Sequence, residues 1–327
     1  MKRVGLTSTV PVEVIYAAGW TPIDLNNVFI TSKNPQEMVS NAEREGYPRN
    51  ACGWIKGIYT AAIRSDLDAV IAVVEGDCSQ THAMTETWQM AGMRIIPFSY
   101  PYSRNAGELK NSIEKLMAEL DTDWDQVRIW KKRLDNIRTK VWELDGNTWK
   151  DLSYSSEQNH YFQVCCSDYN MNPDAFEIEI DEALNNPTPG QANIRLGFIG
   201  VPPIFSDLYS FIDNHGARVV FNEVQRQFTM PFDTDDIVEQ YLRYTYPYDI
   251  FGRVEDINRE IERRQIDGII HYTQSFCFRQ IEDIIVRKQV NVPILTIEGD
   301  SPSSLDARTG LRIESFLEML DWKTARK

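Results

Sequence analysis

The chain alternates short apolar runs with amphipathic helical segments, and this rhythm constrains its fold more than any other feature. In the first part, helices are predicted over Trp54–Arg64 and Thr81–Ala91, and strands over Asp68–Val74 (DAVIAVV) and Arg94–Phe98. Strands that alternate with helices form parallel sheets, because successive parallel strands need a crossover connection. The sequence therefore predicts the α/β class.

A second series with the same rhythm follows in the C-terminal part. Its predicted strands are Ile194–Ile199, Arg218–Phe221, Asp267–His271 (DGIIH) and Ile294–Ile297, and its predicted helices lie near Ile204–His215, Asp235–Tyr244, Val254–Arg264 and Leu311–Leu320. A chain of 327 residues is also longer than a single core usually supports. We expect two doubly wound domains.

A different pattern lies between the two series. Asn105–Asp145 has apolar residues at three- and four-residue steps, which predicts two long amphipathic helices, the second ending at Gly146 and Asn147. The following stretch, 149–190, is predicted to be irregular. We expect an N-terminal α/β domain with a helical extension over 1–150, a connecting segment over 151–192 and a C-terminal α/β domain over 193–327.

Composition narrows the possible partners and the location. The chain is 42% apolar and 25% charged, and its formal net charge of -14 repels phosphate backbones, so nucleic acid is not an expected partner. An anionic small ligand remains compatible with that charge, since a few local donors can bind phosphate. We see neither a secretory signal nor a run of about 18 apolar residues that could span a membrane. A cytoplasmic protein with reduced thiols is expected.

Three of the five cysteines lie where ligands usually bind in doubly wound sheets, beyond the carboxyl ends of strands or at helix starts. Cys78 follows DAVIAVV, Cys277 comes six residues after DGIIH, and Cys52 stands at the start of a predicted helix, where exposed amides favour a thiolate. A single cysteine is as often a small buried hydrophobic residue. Three with polar and glycine neighbours indicate a metal site, and thiolates select zinc or iron-sulfur clusters. The absence of a CxxC pair argues against structural zinc.

Several motifs resemble those of one family. PVEVIYAAGWTPI, CGWIKG, GDCSQTH, NHGARVVFNEV, FCFRQIED and VPILTIEGD occur in this order over most of the chain. They are similar to signatures of the 2-hydroxyacyl-CoA dehydratase and benzoyl-CoA reductase superfamily. The resemblance implies two Rossmann-like domains and a 4Fe-4S cluster held between them by Cys52, Cys78 and Cys277.

The resemblance also implies the chemistry and its partners. Family members receive a low-potential electron from a separate ATP-hydrolysing iron-sulfur activator. The dehydratases pass this electron to an acyl-CoA, and the resulting ketyl radical lets the 2-hydroxyl group leave. Three protein ligands would leave one iron with an exchangeable position.

The chain departs from the family pattern in its shorter length and in the adjacent Cys165 and Cys166. One family branch joins two cubanes into an 8Fe-9S double-cubane cluster and reduces small molecules, and extra thiols would suit it. Adjacent cysteines have no strong cubane spacing, so a structural role for this pair is favoured. A cluster-carrying electron-transfer subunit without catalysis is a third alternative, suggested by the reduced length.

Four other residues are candidates for acid-base or substrate-anchoring roles. His82 and His271 could transfer protons near the proposed cluster, and Glu13 and Glu298 could face the cleft between the domains. Ordinary hydrogen bonding, helix capping and turn formation are the competing interpretations. No glycine motif has the GxGxxG spacing, so no NAD site is predicted.

The resemblance further implies assembly from two related large subunits. We therefore expect a homodimer, or a heterodimer with a paralogous partner. The exposed face of the Asn105–Val141 helices, with Trp130 and Trp142, is a candidate contact surface, and packing of that face against its own domain is the alternative.

Overall fold

The computed structural model describes residues 2–324, and they form two compact α/β units that are interleaved along the chain. The first unit takes the residues up to Thr139 together with Cys165–Glu179 and Phe228–Asp249. The second takes Lys140–Val164, Ile180–Gln227 and the residues from Ile250 onward. The domain boundaries expected from the sequence stay predictions.

Eight strands and fifteen α-helices are present within 2–324. The strands are β1 (Arg3–Leu6), β2 (Thr21–Asp24), β3 (Ala69–Glu75), β4 (Ile95–Ser99), β5 (Ile194–Gly200), β6 (Ala217–Asn222), β7 (Gly268–Gln274) and β8 (Ile294–Gly299). The helices are α1 (Val12–Ala17), α2 (Leu25–Ile30), α3 (Pro35–Arg44), α4 (Gly53–Arg64), α5 (Gln80–Met90), α6 (Ala106–Leu120), α7 (Trp124–Lys150), α8 (Ser156–Cys165), α9 (Pro173–Asn185), α10 (Leu208–Asn214), α11 (Glu223–Phe228), α12 (Ile237–Arg243), α13 (Ile250–Arg264), α14 (Asp283–Gln289) and α15 (Ala307–Thr324). Two 3₁₀ helices cover Tyr169–Met171 and Phe278–Glu282.

The first unit contains a four-stranded parallel sheet in the order β2-β1-β3-β4. Its central strands are β1 and β3, where Val4, Leu6, Val70 and Ile71 are fully buried, as expected for strands covered on both faces. Pro97 lies in β4, at the edge of the sheet, where a residue without an N–H group disturbs no ladder on its outer side.

The second unit repeats this arrangement with the order β6-β5-β7-β8, again all parallel. The amphipathic helix α13 packs Ile250, Val254 and Ile257, spaced by four and three residues, into a core that includes Ile269 of β7. Each unit thus has its own buried apolar core.

The two strand-helix series also share the order of their elements along the chain. In each, a helix connects the first two strands, three helices lead into the third strand, and a helical segment leads into the fourth. Two four-stranded parallel sheets with this winding confirm the predicted α/β class and the Rossmann-like architecture.

Three local predictions were wrong. The stretch predicted to be irregular, 149–190, is mostly helical, because it contains α8 and α9. Helix α7 continues through Gly146 and Asn147 to Lys150. Strand β7 runs on to Gln274, so Cys277 follows its end by three residues and not six.

Within residues 2–324 no helix combines the length and the apolar character needed to cross a membrane.

Candidate metal centre

Cys52 and Cys78 lie at the starts of neighbouring helices in the first unit. Cys52 precedes α4 and its carbonyl accepts a hydrogen bond from Lys56 N at 3.1 Å, while the carbonyl of Cys78 accepts one from Thr81 N at 3.0 Å. The Cys52 N–H group donates to Oε1 of Gln80 at 3.4 Å, which links the two helix starts. Helix N-termini favour negative charge, so both positions suit thiolates.

The turn that carries Cys78 is fixed by a glycine. Gly76 has a φ of +93°, and a Cβ atom there would lie 2.8 Å from Cβ of Tyr100 and 2.9 Å from the carbonyl oxygen of Pro247. Only glycine fits both the left-handed conformation and this close approach. The chain therefore presents Cys78 from a turn packed directly against an aromatic side chain.

A buried hydroxyl group lies three residues after Cys78 in the chain. Thr81 is 1% exposed, and no hydrogen-bond partner for its Oγ1 occurs among the described residues. Buried polar groups almost always have a hydrogen-bond partner, so this hydroxyl is a donor available to a bound group. The first unit therefore offers two thiols and one uncommitted donor that fit a thiolate-ligated cluster.

Cys277 occupies the corresponding position in the second unit. It follows β7 by three residues, as Cys78 follows β3, and its carbonyl likewise accepts a hydrogen bond from the residue three positions on, Gln280, at 3.1 Å. Its N–H group donates to the carbonyl of Gln274 at 3.0 Å. Phe276, directly before it, has a φ of 64°, a strained value for a residue with a side chain, and such strain is concentrated at functional sites.

Glu298 holds the Cys277 turn from the neighbouring strand. Its Oε1 accepts hydrogen bonds from Ser275 Oγ at 2.7 Å and from Gln280 Nε2 at 3.0 Å, one on each side of the cysteine. The amide of Ser275 also donates to the carbonyl of Gly299 at 2.8 Å. The carboxylate therefore closes the turn, and its expected role as an acid or substrate anchor stays a prediction.

A buried ionic network, which was not predicted from the sequence, contacts the helical segment that follows Cys277. Arg253 donates to both carboxylate oxygens of Glu223, at 2.6 and 3.0 Å, and to Oε2 of Glu282 at 2.5 Å. Glu223 also accepts the amide of Gly200 at 2.9 Å. Burial alone would raise the pKa of Glu223, but the attraction of Arg253 and the hydrogen bonds hold it below its ordinary value. Glu223 lies in the NEV part of one motif and Glu282 in the QIED part of another, so these motifs were the sequence signal that could have indicated the network.

His271 lies in β7 with a carboxylate partner. Its Nδ1 is 2.7 Å from Oδ1 of Asp283, which also accepts from Oγ1 of Thr296 at 2.8 Å. Burial lowers the pKa of His271, although Asp283 opposes that shift. The ring is therefore neutral near pH 7, with Nδ1–H directed at the carboxylate. His82 is instead exposed in the first turn of α5. Roles for both in proton transfer stay predictions.

Glu13 is fully buried and its oxygens are already occupied. Oε1 accepts from Arg138 Nη1 at 2.7 Å and from Gln240 Nε2 at 2.9 Å, and Oε2 accepts from the Tyr241 hydroxyl at 2.9 Å. Burial raises its pKa, but Arg138 and these hydrogen bonds outweigh burial and keep it ionised. The contacts favour the structural interpretation, and a role in catalysis stays a prediction.

Cys165 and Cys166 are both buried in the first unit. Burial raises the pKa of both thiols, that of Cys166 to about 12, and the charge of Asp168 adds to the effect. Protonated thiols in an apolar environment are poor metal ligands. The structure therefore favours the structural role for this pair.

The structure brings Cys52 and Cys78 to adjacent helix starts of the first unit, whereas Cys277 belongs to the second unit. Over residues 2–324, no group of three or more His, Cys, Asp or Glu side chains is arranged so that it could hold a metal ion. The three-cysteine ligand set expected from the sequence stays a prediction.

Comparison with known protein families identifies the family of this chain. A family model described as 2-hydroxyglutaryl-CoA dehydratase, D-component, matches residues 7–320. No curated protein matches the sequence significantly. The family match covers both units and all the motifs noted above, so it confirms the resemblance found in the sequence.

Proposed function

The chain belongs to the 2-hydroxyglutaryl-CoA dehydratase D-component family, and from this membership we propose that it is an iron-sulfur component of a 2-hydroxyacyl-CoA dehydratase. The proposed ligands are Cys52, Cys78 and Cys277, and the proposed cofactor is one 4Fe-4S cluster. When bound, this cluster supplies low-potential one-electron transfer and one iron without a protein thiolate.

The observation that carries the proposal is the equivalence of two cysteines in a repeated topology. Cys78 and Cys277 each stand three residues beyond the third strand of their sheet and each begin a helical turn. Ligands of doubly wound sheets bind at that edge. The uncommitted hydroxyl of Thr81 supports a sulfur-containing ligand beside Cys78.

We propose tasks for several side chains in this reaction. Gln80 holds the amide of Cys52, and Glu298 closes the turn of Cys277. His271 is neutral and its Nδ1 is engaged by Asp283, so Nε2 is the atom that would take up a proton. We propose that the substrate is a 2-hydroxyacyl-CoA that loses its hydroxyl group by ketyl-radical chemistry.

The electron is proposed to come from a separate ATP-dependent iron-sulfur activator. A protein with such a cluster belongs in a reducing compartment, so a cytoplasmic location is part of the proposal. We also propose a homodimer or a paralogous heterodimer. Trp130, a candidate residue of the contact surface, stacks on Tyr16 of its own unit, with ring centroids 5.0 Å apart. Light scattering under anaerobic conditions tests the assembly, and a mass near 37.8 kDa at micromolar concentration contradicts a dimer.

Anaerobic analysis of iron and acid-labile sulfide tests the cofactor. The reconstituted protein is expected to hold about four irons per chain, as for one cubane. Cys52→Ala, Cys78→Ala and Cys277→Ala should each lose the cluster, whereas the matched controls Cys165→Ala and Cys166→Ala should retain it. A full complement of iron in Cys78→Ala protein contradicts the ligand set, and about eight irons per chain favour the double-cubane alternative.

Turnover assays test the substrate. With activator, ATP and a low-potential reductant, a 2-hydroxyacyl-CoA should be dehydrated, while the matched acyl-CoA without the hydroxyl group should not react. Activity on a small multiply bonded molecule alone would favour the double-cubane reductase. A cluster that is reduced and reoxidised without any turnover would favour the electron-transfer subunit.

A further inference from the structure

The 3₁₀ helix Phe278–Glu282 directly follows Cys277, and its last residue, Glu282, contacts the buried ionic network of the second unit. Oε2 of Glu282 accepts a hydrogen bond from Nη1 of Arg253 at 2.5 Å. The Glu282 side chain is 18% exposed, while the Arg253 and Glu223 side chains are 2% and 1% exposed. Glu282 therefore joins a partly accessible turn to a buried ion pair.

That buried pair has a fixed position in the sheet. Glu223 follows β6, and its Oε2 accepts both Arg253 Nη2 and the amide of Gly200 at the end of β5. Gly200 lies so close to β7 that a Cβ atom at this position would be 2.1 Å from the carbonyl oxygen of Tyr272. The guanidinium of Arg253 is thus held against the carboxyl ends of β5 and β6.

Glu282 has a further contact within its own turn. Nη1 of Arg279 lies 3.3 and 3.4 Å from its two oxygens. The next residue, Asp283, binds His271 of β7 at 2.7 Å. The segment after Cys277 is therefore tied to the sheet through two consecutive acids, and Glu282 is the one that connects it to β5 and β6.

We propose that Glu282 is a positioning residue, which fixes the turn of Cys277 to the buried Glu223–Arg253 pair and so holds the Cys277 sulfur ready for its ligand. The use of that sulfur as a cluster ligand rests on the function proposed above. The positioning of the turn is a property of the cluster-free protein, so the positioning role and the proposed function can be tested separately.

Glu282→Ala is the informative change, because it removes the link and leaves Glu223 and Arg253 paired. In cluster-free protein we expect the amides of 275–284 to exchange hydrogen for deuterium about 10-fold faster or more, since a hydrogen bond to a charged group is lost. Glu282→Gln keeps one acceptor for Arg253 and should restore part of the protection. Glu262→Ala, an exposed change on α13, is the control and should leave this segment unchanged.

The second test measures iron release and the electron paramagnetic resonance signal of the cluster-loaded protein. Glu282→Ala should lose iron to a chelator several-fold faster than wild type and show a broadened electron paramagnetic resonance signal, with Glu282→Gln in between. Unchanged exchange in 275–284 of the Ala variant overturns the positioning role. If the Ala variant exchanges faster in 275–284 and the wild-type protein assembles no cluster, the positioning role is supported and the proposed function is overturned.

Discussion

The turns of Cys78 and Cys277 occupy the same place in two sheets of the same strand order, but different forces hold them. The Cys78 turn depends on shape, because Gly76 packs against Tyr100 and Pro247. The Cys277 turn depends on charge, with Arg253 below it and Glu298 beside it. The repeated topology thus fixes where each cysteine lies. The surrounding side chains determine how rigid its turn is and over which pH range the turn is stable.

The two strand-helix series also differ at the residue before the helix that leads into the third strand. Cys52 precedes α4 in one series, and Asp249 precedes α13 in the other. These two positions and the two strand-end positions make four corresponding places in the two series, of which three hold a cysteine and one holds Asp249.

The largest expected effect concerns the charge that supports the Cys277 turn. Arg253→Met leaves Glu223 buried without its cation, so the free energy of unfolding should fall by about 3–5 kcal/mol. Arg263→Met is the control on the same helix, because the Arg263 side chain is 54% exposed, and it should cost less than about 1 kcal/mol. Urea unfolding measures the free energy of unfolding of both variants. Equal decreases in the two variants would contradict a special contribution of the buried ion pair.

The next effect concerns the shape that supports the Cys78 turn. Gly76→Ala combines a left-handed φ with a clash against Tyr100, so it should cost roughly 2–3 kcal/mol. Gly92→Ala has a similar φ of +84° but no atom within 4 Å of the new Cβ, and it should cost about 1 kcal/mol. Thermal unfolding of the two variants separates steric clash from backbone strain, and an equal loss in both contradicts the packing argument.

A smaller effect is expected from pH and should be confined to the Cys277 turn. Burial lowers the pKa of His271 in the folded protein, so below its ordinary value of 6.5 the unfolded chain binds more protons than the folded one. The stability that neutral His271 contributes is therefore fully present above pH 6.5 and is lost as the pH falls below that value. Intrinsic-rate-corrected hydrogen exchange between pH 7 and 5.5 should show protection lost in 275–284 but not in 76–82. His271→Gln should abolish this dependence, and a dependence that persists would exclude His271 as its source.

The smallest effect concerns the buried hydroxyl of Thr81, which has no hydrogen-bond partner among the described residues. Thr81→Val should change the stability of cluster-free protein by less than about 0.5 kcal/mol, because no hydrogen bond is lost. In cluster-loaded protein it should lower the midpoint potential, since hydrogen bonds to sulfur favour the reduced state. Thr85→Val is the control, because the Thr85 hydroxyl already donates to the carbonyl of His82 at 2.6 Å. A potential that is unchanged in Thr81→Val would show that this hydroxyl has no sulfur acceptor.

The helices of 149–190 explain why part of the fold was not readable from the sequence. On α8, Asn159 and Gln163 point inward and both donate to Oδ1 of Asp145 at 3.0 Å. Asp145 is also paired with the buried Arg264. A helix that buries polar side chains has no apolar stripe, so its periodicity predicts neither a helix nor a core position.

The sequence by itself determined the α/β class, the two series of strands and helices, the family and the three cysteines at strand ends and helix starts. These follow from local apolar patterns and contiguous motifs, which need no knowledge of distant partners. Only the tertiary structure decided that Glu13 is saturated by Arg138, Gln240 and Tyr241, and that Arg253 joins Glu223 to Glu282. Such partners are separated by tens to hundreds of residues in the chain, and the stability of a buried charge depends on which of them folding brings within a few ångströms.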